Sequence, residues 1–406
     1  MQELSTTSPP AHQSADPLAW LDAELAALTA REQRRTLYPL DGPPGPEVTI
    51  AGCPYLLLAS NNYLGLADDP RVVDAATDAL RHYGASSAAS RLVSGTTRLH
   101  AELEEALAAW KGAEACVVFS SGYLANVGTI AALVGPDDVV FSDQLNHASI
   151  IDGARLSRAR VVVYRHGDVE HLAALLAAHP ARRRLIVTDS VFSMDGDLAP
   201  LPALCELAER HGAMLMVDEA HATGVLGPAG SGAVAHLGVQ GRVPILMGTL
   251  SKALGAVGGF VAGSARLVEY LRHRARGFVF DTALAPPAAG AALAAVGIAQ
   301  REEWRRARLR ALAGRLRAAL TAQGYQLLPS ETPILPVLVG ANRSALRLAA
   351  ALRERGVWVP AIRPPTVPEG TARLRVTLMA TYQDTHLEQA IAAFAAARAA
   401  LAEEPT

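Results

Sequence analysis

Between residues 115 and 262 the chain alternates short apolar runs with stretches of helical length. Seven runs stand out, at 115–119, 139–141, 161–164, 185–187, 214–217, 245–247 and 260–262. Uninterrupted apolar runs suit strands buried on both faces, and helix-length spacers suit βαβ crossovers. The pattern predicts an α/β fold: a mostly parallel seven-stranded sheet flanked by helices. The run at 260–262 follows its predecessor after a short connection and is expected to lie antiparallel.

Flanking segments follow other periods. Leu18, Leu21, Leu25 and Leu28 mark a helix from Pro17 to about Arg35, with Arg31, Arg34 and Arg35 crowding its end. Most arginines there merely suit a helix C-terminus, and a substrate role is the lesser alternative. A turn-rich linker at 41–46 and a hairpin-like pair lead to Asn61-Asn62-Tyr63-Leu64-Gly65. Small residues fill 84–90, and the following helix aligns Leu99, Leu103, Leu107 and Trp110 as a core stripe before Gly112. From about Ala288 a long helical segment with Arg301, Arg305, Arg308 and Arg315 is expected to show a solvated face. Beyond it, strands at 334–339 and 357–359 enclose a helix at 345–355. The last helix is expected to open on a capping box at Thr385 and Glu388, with Leu387, Ile391 and Phe394 inward. The predicted organisation is an N-terminal tail and helix (1–50), a large domain (51–287) and a small α/β C-terminal domain (288–406).

Composition narrows the function. The 406 residues are 50% hydrophobic, 19% charged and 5% aromatic, with a formal net charge of −2 and no long basic run. Nucleic acid and anionic membrane are therefore not expected partners. No apolar run reaches the ~18 residues of a membrane helix, and the first sixteen residues read as a polar, disordered tail without a signal-peptide core. Cys53, Cys116 and Cys205 are odd in number and widely spaced, which favours free thiols in a reducing compartment over disulfides or a metal site. A cytoplasmic enzyme without a metal is expected.

The candidate chemistry sits at the ends of the apolar runs. Asp218 closes the 214–217 run, at the edge where open α/β sheets place ligands, though an aspartate there also serves as a cap. Lys252 follows the 245–247 run in a turn of small and apolar residues, where desolvation disfavours the ammonium form and prepares a Schiff-base lysine. Together they suggest pyridoxal 5'-phosphate (PLP), whose aldehyde takes a lysine and whose ring nitrogen takes a carboxylate partner. Gly248-Thr249-Leu250-Ser251-Lys252 is not a phosphate-binding P-loop, because Gly does not precede the lysine and Ser/Thr does not follow it. Ser120-Ser121-Gly122-Tyr123 opens a helix whose free N–H groups suit a phosphate, or forms only a cap. His147, after another run, offers an imidazole that could stack on a ring or be structural.

These motifs, with Ser193-Met194-Asp195-Gly196-Asp197 and Asp218-Glu219-Ala220-His221-Ala222-Thr223-Gly224, closely resemble the α-oxoamine synthases, a branch of the fold-type I PLP-dependent enzymes. The resemblance runs from about Arg35 to Phe394. The stretches 361–368 and 370–375 are similar to the branch that condenses L-alanine with a pimeloyl thioester on the route to biotin. The resemblance implies that Lys252 carries PLP and later takes the alanine Cα proton. Asp218 would pair with the ring nitrogen, His221 with the ring hydroxyl, and His147 would stack on the ring. Gly122, Tyr123 and Thr249 would hold the phosphate, joined by Thr282 across a homodimer whose sites lie at the subunit interface. Asp189 and Ser193 would flank the ring, Arg375 bind the substrate carboxylate, Asn61 lie on the substrate side, and Arg35 lie near the acyl-CoA.

Two departures are visible. Ala85, Ser87, Ala88 and Ala89 replace a glycine-rich segment and add methyls near the expected acyl channel, and Asp189-Ser190 stands where some relatives carry Glu-Gly. Arg182, Arg183 and Arg184 read as a solvated loop or a contact for CoA phosphate. Three rivals remain: sister synthases taking glycine or serine and other acyl chains, a non-catalytic PLP sensor, and a nucleotide-binding protein.

Overall fold

The computed structural model describes residues 16–403; the polar tail at 1–15 lies outside them. The seven apolar runs form one sheet, in the order Ala115–Phe119, Gly259–Gly263, Ile245–Thr249, Met214–Asp218, Arg184–Asp189, Val139–Asp143, Arg160–Tyr164. Gly259–Gly263 is antiparallel to both neighbours, and the pairings from Ile245–Thr249 through to Arg160–Tyr164 are parallel. Alternate residues feed separate cores on the two faces. Val117, Val140, Val187, Met216 and Met247 pack on one side, and Val118, Phe141, Ile186, Val217 and Leu246 on the other. Strands covered on both faces need apolar side chains at successive positions, which is why their runs were legible; the edge strand Arg160–Tyr164 leaves Val161 and Val163 exposed.

The ends of the chain meet. Glu47–Ile50 and Cys53–Leu57 form the expected hairpin, and Val357–Trp358 joins it in parallel instead of pairing with the strand at 334–340. Ile334–Gly340 pairs with Ala372–Thr377, a strand not foreseen, inside a four-stranded antiparallel sheet. Thr377 N–H donates to Leu58 O at 2.9 Å and Ala380 N–H to Tyr63 O at 2.8 Å. Arg375 is thereby carried to the Asn61–Tyr63 loop.

Helices depart from expectation where charge or exposure intervenes. The long segment after Ala288 is two helices, Pro286–Arg301 and Glu303–Ala322, broken at Glu302. Arg305 is not on a solvated face. It is buried, donating to Asp69 at 2.8 Å, Glu302 at 2.8 Å and the Leu64 carbonyl at 2.6 Å. Arg308 and Arg315 reach Asp384 at 3.0 and 2.6 Å. The stripe Leu99, Leu103, Leu107 and Trp110 is buried as read, and Gly112 ends that helix in left-handed geometry at φ 64°. The first helix is shorter than expected, Trp20–Ala30, with its leucines exposed. The last begins at Asp384, one residue ahead of Thr385, and His386 Nδ1 accepts from Gln383 N–H at 3.1 Å in place of the expected capping box. Leu387 and Phe394 are buried on it. Cys116 and Cys205 are buried free thiols and Cys53 an exposed one. Among the described residues no helix is long and apolar enough to cross a membrane.

Removing one partner of a buried ion pair leaves the other charge uncompensated. Arg305→Ala is therefore expected to lower unfolding stability by about 3 kcal/mol, read from urea denaturation; a change within experimental scatter would show that Arg71 alone satisfies Asp69.

Candidate active site

Two carboxylates face each other across neighbouring strand ends, because Asp189 and Asp218 are register partners. Both are buried. Burial, reinforced by Asp218, pushes the Asp189 carboxyl well above the usual carboxylate range. Asp218 accepts from Asn126 Nδ2 at 2.7 Å and from the Ala220 N–H at 2.8 Å. Asp189 accepts from the His147 N–H at 2.7 Å, and its own N–H is held by Asn146 Oδ1 at 2.9 Å. One strand end thus holds its carboxyl group between an amide and a backbone N–H, and its neighbour fixes the His147 backbone.

Lys252 lies in the turn after Ile245–Thr249, closed by Gly255 N–H donating to Lys252 O at 2.9 Å. A Cβ on Gly255 would meet Ala67 N at 2.4 Å, so the turn presses on the Asn61–Ala67 loop and only glycine fits, at φ +62°. Burial lowers the Lys252 ammonium below its ordinary range, against the opposing pull of Asp218 and Asp189. A lowered pKa makes the free amine of Lys252 more accessible as nucleophile or base.

A polar relay enters from the substrate side. Arg375 donates to Asn61 Oδ1 at 3.1 Å, to the Tyr63 hydroxyl at 3.1 Å, and to the Ser193 carbonyl. The Tyr63 hydroxyl is 2.8 Å from His221 Nδ1. Burial, followed by the positive charges of Lys252 and Arg375, holds His221 well below its ordinary range, so its ring is neutral. His147 is lowered too, first by desolvation.

The helix Gly122–Leu133 starts beside this cluster, capped by the Ser121 hydroxyl accepting from Leu124 N–H at 3.1 Å. Helical geometry leaves the N–H groups of Gly122 and Tyr123 without partners in the helix. Thr249 stands close by: a Cβ on Gly122 would meet Thr249 Oγ1 at 3.2 Å, and one on Gly259 would meet Gly122 Cα at 2.5 Å. Two donors, a hydroxyl and a positive helix end suit a phosphate. Asp218 suits a protonated ring nitrogen, and Lys252 an aldehyde. The residues present therefore fit PLP.

Comparison with known proteins agrees. The aminotransferase class I and II family matches residues 54–394. The 8-amino-7-oxononanoate synthase of Anaeromyxobacter dehalogenans is 57% identical over 379 residues, covering 93% of this chain and 95% of that protein. The chain belongs to the 8-amino-7-oxononanoate synthase family. A solved member of that name, from Francisella tularensis, is 28% identical with a TM-score of 0.72 over 86% of this chain and 98% of that one. The serine palmitoyltransferase of S. paucimobilis, solved with bound PLP and myriocin, is 33% identical with a TM-score of 0.90, over 96% of this chain and 100% of that one.

Within this family member Lys252, Asp218, His221, His147, Asp189, Ser193, Asn61, Arg375, Gly122, Tyr123 and Thr249 converge at the carboxyl edge of the sheet. Thr282 stands apart from the hydrogen-bonded cluster: it is exposed and bridged to Ser90, where the small-residue run packs against it. Arg35 donates to Thr366 at 3.2 Å in a groove of about 670 Å³ that also holds Arg34, Tyr38 and Arg363. Arg182 pairs with Asp138, and Arg183 and Arg184 donate to the carbonyls of Leu133 and His211.

Sequence reasoning missed Asn126 and Ser149 and gave Tyr63 no role. A lone amide in an otherwise apolar helix was the available signal for Asn126. A second signal was the lysine count: the chain has two, Lys111 and Lys252. Lys111 is committed to a buried pair with Glu219 at 2.8 Å, whereas Lys252 has no such pair among the described residues.

His166 braces the Ser193 loop, with Nδ1 2.9 Å from Asp143 and Nε2 2.8 Å from Asp197. The bond to Asp143, then that to Asp197, raises its pKa to about 10. A pKa raised in the folded state stabilises fully below the unfolded value of about 6.5, and that stability is lost as pH climbs through the folded value. The stability lost in His166→Gln is expected to be about 2 kcal/mol near neutral pH or below and to fade as pH rises to about 10. Denaturation at several pH values checks this, and a pH-independent difference would contradict it.

Proposed function

We propose that this chain condenses L-alanine with a pimeloyl thioester, on CoA or an acyl-carrier protein, giving 8-amino-7-oxononanoate, CO2 and free thiol in biotin biosynthesis. The observation that carries the reading is the meeting of a half-buried lysine whose ammonium is disfavoured by desolvation (Lys252) with the buried Asp218 and Arg375, in a chain 57% identical to an 8-amino-7-oxononanoate synthase.

Bound PLP supplies an aldehyde for the amino group and a protonated ring that draws electrons from Cα. The residues of this chain do the rest. Asp218 keeps the ring nitrogen protonated, while the neutral His221, backed by Tyr63, hydrogen-bonds the ring hydroxyl. His147 covers one ring face, with Asp189 holding its backbone and Ser193 on the adjoining loop. The N–H groups of Gly122 and Tyr123 take the phosphate together with the Thr249 hydroxyl and the partner subunit's Thr282. Arg375 would take the alanine carboxylate, with Asn61 beside it, and so fix the orientation of the amino acid about Cα. Lys252, its ammonium disfavoured by desolvation, takes the Cα proton. Arg35 and its groove receive the acyl donor.

A homodimer accommodates Thr282 and covers apolar residues left exposed on one chain, among them Leu21, Leu25, Val93 and Phe280. A cytoplasmic location suits the free buried thiols. The alternative reading is a sister α-oxoamine synthase, of the glycine C-acetyltransferase, 5-aminolevulinate synthase or serine palmitoyltransferase type. The likeness to a serine palmitoyltransferase at a TM-score of 0.90 favours that alternative, whereas the higher sequence identity favours the first.

The deciding assay is thiol release by PLP-loaded protein, with L-alanine, glycine or serine against pimeloyl-CoA or acetyl-CoA. Release that requires L-alanine and pimeloyl-CoA is expected; release only with another pair would move the substrate to a sister enzyme. Asp218→Asn is expected to cut the rate by orders of magnitude, since a neutral ring is a poor electron sink. A rate within a few-fold of the parent would contradict the Asp218 role.

A further inference from the structure

Asp218 and His147 are joined by two side chains that neither the sequence motifs nor the proposed reaction assigns. Asn126 Nδ2 donates to Asp218 Oδ2 at 2.7 Å and to Ser149 Oγ at 2.8 Å. Ser149 Oγ lies 2.8 Å from His147 Nδ1, and the Ser149 N–H also points at Nδ1, at 3.3 Å. Asn126 and Ser149 are both buried. We propose that Asn126 and Ser149 are positioning residues that hold His147 as the neutral imidazole protonated on Nε2 and tie its ring to the Asp218 carboxylate.

Donor and acceptor counting leads there. Asp218, as a carboxylate, only accepts, so the Asn126 amide must present its nitrogen to it. The cost is visible, because Asn126 Oδ1 is buried without a partner. The second amide hydrogen goes to Ser149 Oγ, which leaves the hydroxyl hydrogen for His147 Nδ1. Two donors, the Ser149 hydroxyl and the Ser149 N–H, then meet on Nδ1, which must carry the lone pair. A proton on Nδ1 would oppose both and strand a buried hydroxyl hydrogen.

The surroundings act in the same direction. His147 caps the helix Ala148–Leu156, whose positive end disfavours a charged imidazole. Of the charged groups that face the ring, Lys252 opposes protonation, while Asp218 and Asp152 favour it; Asp189 binds the backbone N–H. Desolvation outweighs the two carboxylates. A neutral ring over the cofactor avoids setting a cation against a protonated pyridine, a consequence that rests on the function proposed above. The tautomer itself does not.

The test is histidine-selective 15N NMR on the PLP-loaded protein and on the same protein freed of PLP, with the His147 signal among the twelve histidines assigned by its loss in His147→Gln. The expected result is an Nε2–H pattern in the parent across the neutral range. In Ser149→Ala the hydroxyl donor is gone and only the longer backbone N–H contact on Nδ1, 3.3 Å in the parent, remains, so a share of the Nδ1–H tautomer should appear and the protonation midpoint rise by about half to one pH unit. Asn126→Leu, close in shape, should move both in the same direction by freeing the Ser149 hydroxyl. An Nδ1–H pattern in the parent, or unchanged signals in Ser149→Ala, would overturn the proposal. Because the readout needs no turnover, its failure is distinguishable from failure of the proposed reaction.

Discussion

Desolvation of charge at the carboxyl edge of the sheet is the constraint on which the structure turns. Parallel strands covered on both faces bring their ends to one rim, and here that rim holds Asp189 and Asp218 away from water with the half-buried Lys252 beside them. Bare carboxylates and an ammonium in such a place are costly, and each is compensated in a different way. Asp218 receives an amide and a backbone N–H, the Asp189 carboxyl is pushed up, and the Lys252 amine is pushed down. The same burial shifts Asp189 and Lys252 toward their uncharged forms, as sites of proton transfer often require.

Around the rim, rigid supports fix each group. Behind it, Lys111, Glu219, Thr223 and the Ser231 carbonyl form a buried polar knot that anchors the residue next to Asp218. In front, the return of the chain end to the Asn61–Tyr63 loop delivers Arg375, whose guanidinium reads three neighbours at once. Closure of the fold and assembly of the substrate side are therefore one event, since the hydrogen bonds from Thr377 and Ala380 do both.

The sheet was legible because two-sided burial writes an unbroken apolar run at the inner strands, including the antiparallel one at Gly259–Gly263, and the edge strand Arg160–Tyr164 keeps such a run although Val161 and Val163 are exposed. Lys252 and Asp218 were legible because each follows such a run. The strand Ala372–Thr377 was hidden: its buried arginines, Arg373 and Arg375, break the apolar pattern, and their partners Asp195, Asn61 and Tyr63 are remote in sequence. The same remoteness disguised Arg305 as a surface residue, and it concealed Asn126, whose acceptor Asp218 lies 92 positions on. Periodicity reports which face is apolar; it does not report which charge has found a partner.

The most direct measurement of the central claim is borohydride reduction of the PLP-loaded protein, followed by digestion and mass mapping of the pyridoxyl group. With two lysines in the chain, the outcome is unambiguous. The account predicts the label on Lys252 and none on Lys111, which is held by Glu219. A label on Lys111, or none on either, would contradict the assignment of Lys252 and with it the chemistry built on the rim.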